Sequence, residues 1–498
     1  MPTATTTGRA RSRSRRSTRE PLILLSNREP FEHNRGGDGE LSITRPAGGL
    51  TSALQPLMAS RGGTWVAWGS GSADFDVTDD GDTVRVPPER PRYRLRRIRL
   101  TPEEVQAYYV ESANRALWPL CHLQLNHFAF DYRAWQVYRQ VNHRFARAAL
   151  EEARDGHATV WVHDYHLSYV AGAIRRLRGG GIPFVHQFWH IPWPPADILR
   201  ALPVARRVLR GLLGNDLLEF QTGRYVLNFL TSVADLLPGA RVDLERSTVR
   251  YDGRVTVVRA YPISIDVAAW ERRAAQRGVV EAAQRLRRRH APGGAELVLG
   301  VDRIDYSKGI PQRLEAFARL LQESPAWRGK VTFLQIATPS RSEIPAYQEL
   351  EREVIETAAT INARYGTPEW VPVVLLRENA DADTLAACYR AADVCIVSSL
   401  QDGMNLVAKE FIACQRGGRG VLVLSRFAGA AEEMDGALLI NPYDVGASAR
   451  ALETALGMGE RERKLRLQAM RRQLKANTIR DWMRAIFDDV DRLRRKSR

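Results

Sequence analysis

A chain of 498 residues is longer than one hydrophobic core fills, and it predicts two domains of ordinary size. With 44% apolar and 26% charged residues, no apolar run of about 18 residues, and an arginine-rich start where a secretory signal needs an apolar core, the composition speaks against a membrane span and points to a cytoplasmic protein. The net charge of +16 raises polynucleotide binding, but "GRARSRSRRSTRE" (8–20) and "RLRRKSR" (492–498) carry part of it as expected solvated tails, and no DNA- or RNA-recognition motif accompanies them.

In chain order, the first apolar run is "PLILLSN", a predicted buried strand that leads into Arg28. The next glycine pair, in "PAGGLTSAL", sets Gly48 and Gly49 where backbone can approach a phosphate at a helix start, a weaker signal than a full GxGxxG pattern. "ADFDVTDDGDTVRVPPERPRYRLRRIRLT" (73–101) reads as a polar, hairpin-rich insertion. "ATVWVHD" ends in Asp164, followed by Tyr165; Asp164 is either a ligand or a helix cap. "PFVHQFWH" delivers His190 to a proline-rich turn, where it is either structural or catalytic. Pro262, within "VRAYPISIDVAAW", marks the expected domain boundary.

The second half opens with "ELVLGVD", after which Arg303 and Lys308 share a strand-to-helix loop beside Gly309. A guanidinium fork and a point charge at that spacing can clamp a diphosphate, or they can simply be solvated. "KVTFLQIATP" leads to Arg341, and "VPVVLL" follows. "DVCIVSS" then runs into "SSLQDGMNLVAKEF": Asp402 leaves the strand, Gly403 permits a tight turn, and Asn405 caps a helix from about Leu406. Free N–H groups at that helix start attract an anion, and Glu410, a turn further in, can accept hydrogen bonds from vicinal ribose hydroxyls. The alternative is a solvated Lys409–Glu410 pair. After "GVLVLS", the closing stretch "TIRDWMRAIFDDVDRLRRKSR" is amphipathic and must dock on something.

Strands alternating with helical periodicity predict an α/β fold with parallel sheets. Six strands end at or near charge: Arg28, Asp164, His190, Arg303 with Lys308, Arg341, and Asp402. Ligands of open parallel sheets bind at the carboxyl ends of the strands, so charge there in both halves implies two sheets facing one cleft. The D-x-D strings lie outside such positions, and no metal is expected. Cys121, Cys388, Cys395 and Cys414 show no metal-ligand spacing and read as reduced, buried thiols.

The motifs "SNR…GGL", "YY…N…LWPL", "VWVHDYHL", "HIPWP", "EFQT", "GVDRIDYSKGIPQR", "PSR…YQ" and "DGMNLVAKEF", in this order, resemble the trehalose-6-phosphate synthase family of retaining GT-B glycosyltransferases, family 20. The resemblance runs from about residue 21 to about 485. It implies two Rossmann-like domains: an acceptor domain over 21–264 and a nucleotide-sugar domain over 265–480, with a helix over 481–498 crossing back and 1–20 as a disordered basic tail. On the donor side it implies that Arg303 and Lys308 bind the diphosphate, supported by Met404, Asn405 and the Leu406–Val407 backbone. Glu410 would hold the ribose, Asp402 would contact the donor sugar, and Gly48 and Gly49 would close over it. His190 would face the donor glucose. Arg28, Tyr109, Tyr165, Gln221 and Arg341 would gather around the acceptor, with Asp164 near its reacting sugar and Trp68 and Trp118 shaping the pocket. The residues implied in the chemistry itself are Asp164, His190, Arg303, Lys308 and Asp402.

The implied reaction moves glucose from a nucleoside diphosphate to glucose 6-phosphate. It needs no metal or other cofactor, and its partners are small molecules, without nucleic acid or membrane; a homo-oligomer stays open. A related transferase with another phosphorylated acceptor (glycerol 3-phosphate or a cyclitol phosphate) and a silent sugar-phosphate sensor are the alternatives. Glu29, Trp189, Trp193, Glu219, Gln401 and the segment "YYVESAN" depart from the family's usual pattern, all close in sequence to implied ligands.

Overall fold

The structure, a computed structural model, describes residues 21–45, 49–153, 158–177 and 183–497; Gly48 and the basic segment 1–20 lie outside the described residues. The apolar runs become strands because helices cover both of their faces. Every residue of Leu22–Ser26, Thr159–His163, Phe184–Phe188 and Val421–Ser425 is buried.

Ten strands form the first sheet, in the spatial order Arg241–Asp243, Thr248–Tyr251, Arg254–Ala260, Leu217–Phe220, Phe184–Phe188, Thr159–His163, Leu22–Ser26, Thr64–Trp68, Tyr93–Ile98 and Thr83–Val86. Its interior, from Arg254–Ala260 to Tyr93–Ile98, is parallel, and antiparallel strands close both edges. The second sheet is parallel throughout: Val373–Leu376, Val331–Thr338, Glu296–Arg303, Val394–Val397, Val421–Ser425 and Leu438–Ile440. In each sheet the chain builds outward from one strand and then returns to that strand's other side. Leu22–Ser26 and Glu296–Arg303 are those strands, and crevices open at their carboxyl ends.

The polar insertion is the edge of the first sheet. Tyr93–Ile98 pairs antiparallel with Thr83–Val86 but also parallel with Thr64–Trp68. The hairpin is present as the sequence predicts, but it joins the large sheet: Tyr93 and Leu95 are buried, while Arg94 and Arg96 reach Glu152 of the helix Tyr132–Ala153 at 3.0 and 3.3 Å.

The basic carboxyl end is not a solvated tail. The helix Ile479–Ser497 buries Trp482, Ile486 and Val490 against the first sheet, with Trp161 at 5.6 Å from Trp482 between ring centroids. Near its end, Arg494 Nη1 donates to Thr159 Oγ1 at 2.6 Å. The chain thus passes between the sheets twice, near residues 261–266 and 477–479, and the passages touch where Ile479 N donates to Ile265 O at 3.1 Å. Among the described residues no helix is long and apolar enough to cross a membrane.

Trp482 also donates from Nε1 to Tyr261 O at 3.1 Å. Trp482→Ala is therefore expected to cost about 3–5 kcal/mol, the range for truncating a buried tryptophan, read as a lower urea midpoint.

Candidate active site

At the first crevice, Ser26 Oγ donates to Arg28 O at 2.7 Å and fixes the turn from which Arg28 projects. Above it, residues Gln106–Leu117 wind as a π-helix, in which Trp118 N donates to Ala113 O. Such wide turns occur mostly at functional sites. Here the winding brings two consecutive tyrosines to the crevice: Tyr108 OH donates to Asn27 Oδ1 at 2.9 Å, and Tyr109 OH accepts from Arg28 Nη2 at 3.4 Å. Burial pushes the Tyr109 phenol up, yet the guanidiniums of Arg341, Arg28 and Arg303 outweigh it and hold the group below its ordinary value. Arg28 and Arg341 lie close enough to repel one another. Arg28 touches the phenol, while Arg341 and Arg303 from the other sheet add positive charge around it, an arrangement suited to a multiply charged anion.

Arg341 is held from several sides. Its guanidinium lies 4.0 Å over the Trp118 ring, Nη1 donates to Asp305 Oδ2 at 3.2 Å and to Tyr347 OH, and Nη2 donates to Tyr165 OH at 3.5 Å. Trp118 Nε1 in turn donates to the other Asp305 oxygen at 3.3 Å, across the interface between the sheets. Trp68 packs on Tyr109 at 5.9 Å, and Trp118 on Tyr165 at 5.8 Å.

Deeper in the same crevice, Asp164 has a positive φ of 72° and caps the short turn Tyr165–Leu167, accepting from Tyr165 N at 2.9 Å and His190 N at 3.4 Å. The cap reading is thus correct for one oxygen, Oδ1; among the described residues nothing donates to Oδ2. Burial raises the Asp164 carboxyl to about 7. His190 is kept neutral, its pKa lowered to about 3 by burial. Both of its ring nitrogens are engaged, Nε2 with His163 Nδ1 at 3.0 Å and Nδ1 with Gln221 Nε2 at 3.4 Å. A neutral ring so held keeps one N–H for hydrogen bonding and can orient a neighbour, but it carries no imidazolium proton to give as a general acid.

On the facing sheet, Lys308 Nζ donates to Asp402 Oδ2 at 2.7 Å, and the same oxygen accepts from Ser399 Oγ at 3.1 Å and Asn405 Nδ2 at 3.2 Å. Burial opposes the charge on both partners, but their attraction prevails: Lys308 is raised and Asp402 lowered. Asn405, at φ 79°, accepts from Ala408 N at 3.2 Å and caps the helix Leu406–Cys414, as its sequence predicts. Met404 is buried, and its carbonyl accepts from Ala430 N at 2.8 Å. Leu406 and Val407 occupy the first turn of the helix, where backbone N–H groups lack intrahelical partners. Glu410 accepts from Tyr389 OH at 2.9 Å, and burial raises its carboxyl to about 7. Arg303 ends its strand exposed, and Gly49 opens the helix Gly49–Arg61.

The halves meet tightly beside Asp402. A Cβ at Gly403 would lie 2.2 Å from His190 O, so this contact requires glycine. Tyr225 OH donates to Asp402 O at 2.9 Å and accepts from Gln401 Nε2 at 3.3 Å.

Sequence reasoning missed Asp305, Tyr225 and His163. Asp305 stood in plain view between Arg303 and Lys308, but only its partners reveal it. Most of the departures from the family pattern point away from the cleft. Glu29 pairs with Arg97 Nε at 2.8 Å, and Glu219 binds His186 Nδ1 at 2.6 Å and Trp161 Nε1 at 3.2 Å under the terminal helix. Trp189 and Trp193 are buried, donating to Pro192 O and Ser232 Oγ. Gln401 alone among these side chains meets the interface beside Asp402.

The model of glycosyltransferase family 20 matches residues 20–492. The bifunctional trehalose-6-phosphate synthase/phosphatase of Thermoproteus tenax is 37% identical over 93% of this chain, which spans 62% of that longer protein. The UDP-forming α,α-trehalose-phosphate synthase of Pichia angusta is 36% identical, over 95% of this chain and 99% of its own. Two solved structures are similar throughout. A UDP-forming α,α-trehalose-phosphate synthase from Burkholderia xenovorans in complex with glucose-6-phosphate superposes with a TM-score of 0.81 at 33% identity, covering 95% of this chain and 100% of its own. The one described as "Trehalose-6-phosphate from E. coli bound with UDP-2-fluoro glucose" gives 0.83 at 32%, covering 94% and 98%.

The raised Asp164 carboxyl has a definite pH signature. The unfolded side chain ionises near 3.8, whereas the folded one keeps its proton until about 7. Its contribution to stability is whole below about pH 4 and lost as pH rises through about 7, because the folded state binds the extra proton in between. Asp164→Asn should remove that fall, so that urea midpoints measured from pH 4 to 8 decline less steeply in the variant than in the parent.

Proposed function

The chain belongs to glycosyltransferase family 20, and from that premise we propose that it transfers glucose from a nucleoside diphosphate glucose to the anomeric hydroxyl of glucose 6-phosphate, with retention, giving α,α-trehalose 6-phosphate and the nucleoside diphosphate. One observation carries the choice of a phosphorylated acceptor: Arg28 binds the Tyr109 phenol and Arg341, from the other sheet, binds the Tyr165 phenol, within the cleft that also holds Lys308 and Asp402. A phosphomonoester on one side and a diphosphate on the other would use those charges. The glucose-6-phosphate and UDP-2-fluoro glucose carried by the similar structures have these two chemistries.

In this reading the acceptor phosphate binds Arg28, Tyr109, Tyr165 and Arg341. The acceptor sugar lies under Trp68 and Trp118, near Asp164 and Gln221. The donor diphosphate binds Arg303, Lys308 and the first turn of the Leu406–Cys414 helix, where the helix dipole favours negative charge. Glu410 takes the ribose, and Asp402 takes hydroxyls of the donor sugar, with Gly49, Met404 and Asn405 lining the same side. As the leaving diphosphate gains charge and the sugar becomes cation-like, these fixed dipoles and cations stabilise the charge without reorganising. His190 acts by orientation, since its neutral ring is already engaged. The acceptor attacks on the face from which the diphosphate leaves, and a leaving phosphate oxygen takes its proton. No cofactor enters; the nucleotide sugar is a co-substrate.

A panel tests this: UDP-, GDP- and ADP-glucose, each with glucose 6-phosphate or glycerol 3-phosphate, followed by nucleotide release and by the anomeric signals of the product. Trehalose 6-phosphate is the expected product, and UDP-glucose is the first donor to try, given the UDP-forming relatives. Release with glycerol 3-phosphate but never with glucose 6-phosphate would shift the acceptor assignment, and tight binding without turnover would favour a sensor. Arg341→Lys keeps the charge but loses the fork, and it should lower kcat/KM for the phosphorylated acceptor about 10-fold or more, through kcat as well as KM.

A further inference from the structure

Lys409 precedes the proposed ribose ligand by one residue, yet it does another job. It is 1% exposed, and its side chain leaves the helix away from Glu410. A buried ammonium requires partners, and Lys409 Nζ has two, each at 2.6 Å: Glu433 Oε2 and the carbonyl oxygen of Ile263. Ile263 lies in the first passage between the sheets, where the backbone forms neither helix nor strand. The second passage is tied to the same pair. Asn477 Nδ2 donates to Glu433 Oε1 at 2.6 Å and to Pro262 O at 3.4 Å. One ion pair thus joins the donor-side helix to both segments on which the domains could turn.

The connection continues into the other domain. Ile263 N donates to Gln221 Oε1 at 3.0 Å, and Gln221 Nε2 donates to His190 O at 3.4 Å. That His190 oxygen is the atom against which Gly403 closes, three residues before the helix begins. Lys409, Ile263, Gln221, His190 and Gly403 therefore complete a ring that passes through both domains and returns to the same helix. Two hydrogen bonds of 2.6 and 3.0 Å, one longer one and the close backbone packing at Gly403 together define the inter-domain angle at this end of the cleft; without the ammonium, the two crossings lose the contact that ties them to the donor-side helix.

We propose that Lys409 is a positioning residue that sets the angle between the two domains, fixing the donor-side helix over the acceptor side, and that it is not a ligand of either substrate. This rests on the family reading only in requiring both domains for one transfer. An apolar residue of the same length would fill the space but would take the ammonium from Ile263 O and Glu433 Oε2, leaving Glu433 only its bond from Asn477, and the angle would lose its reference.

The test is Lys409→Met beside Asn477→Ala, in full-length protein carrying spin labels at Leu227→Cys and Leu465→Cys, two exposed sites on opposite domains. The four native cysteines are buried, which keeps the labels where they are placed. Three quantities are read: binding of UDP alone by calorimetry, kcat and KM with the donor and acceptor that the panel identifies, and the inter-label distance. Lys409→Met should leave the UDP dissociation constant within about twofold and broaden the distance distribution. It should lower kcat about 10- to 100-fold, the scale set by misplacing reactants by about 1 Å, with donor KM little changed. Asn477→Ala should do the same to a smaller extent.

An unchanged kcat with an unchanged distance distribution would overturn the proposal, and so would loss of UDP binding in step with kcat, which would make Lys409 part of the donor site. Should Lys409→Met fail to fold, Asn477→Ala decides alone, since it spares the Lys409–Glu433 pair and cuts only the second passage; parental distances and kcat there would overturn the proposal. UDP binding and the label distance need no acceptor, so an error in the acceptor assignment would leave both intact.

Discussion

Asp305 is the charge around which the cleft is organised. Its carboxylate is fully buried, between the two cations of one loop, and it accepts from Ser307 N, Trp118 Nε1 and Arg341 Nη1. Burial alone would neutralise it, but Arg341, Lys308 and Arg303 hold its pKa far below the ordinary carboxylate range. A buried charge costs several kcal/mol unless its partners are well placed, so each partner's position is constrained by the others. Two of those partners, Trp118 and Arg341, line the proposed acceptor pocket, and Lys308 belongs to the proposed donor site. One carboxylate therefore orders both sides of the cleft.

Strain accumulates in the same place. Among the described residues, seven non-glycine positions have positive φ, and Asp164, Arg341 and Asn405 are three of them. Each costs free energy that its surroundings must outweigh, and such conformations gather where a side chain has to be aimed. Asp164 is aimed by Tyr165 N and His190 N, and Arg341 by Asp305 and the Trp118 face. Asn405 is aimed by the first turn of its helix. The π-wound segment over Gln106–Leu117 serves the same end by another route, turning adjacent tyrosines toward Asn27 and Arg28. Preorganisation of this kind is what charge stabilisation during transfer requires.

The sequence departures from the family look like substitutions at the ligands, because they stand next to ligand residues in the chain. The structure separates the two. The strand ends at Phe220, so Glu219 lies beneath the terminal helix while Gln221, beyond the last strand residue, leaves the alternation and reaches His190 and Ile263. Glu29 likewise departs from Arg28 into a buried ionic cluster with Arg97. Proximity in sequence to a binding residue is poor evidence of proximity to its ligand: the departures left near the cleft are Gln401 beside Tyr225, the π-wound segment that carries Tyr109, and Trp189 packed on Tyr165.

By itself the sequence determined what is local. Eight strands were legible as apolar runs because parallel strands buried on both faces need no polar residues. The cap at Asn405 was legible because a cap spans only three residues, and the family resemblance because its motifs are contiguous. The hairpin of Thr83–Val86 and Tyr93–Ile98 was legible, though not its place in the large sheet, and Leu217–Phe220 escaped, since a glutamate paired with His186 interrupts its apolar pattern. Tertiary structure alone decided that Asp305 joins the two sides, and that Lys409 reaches the passages between domains while Glu410 does not. The reason is physical: these partners lie far apart along the chain, and which buried charge finds which donor follows from how two independently formed sheets come together, which no spacing within either one encodes.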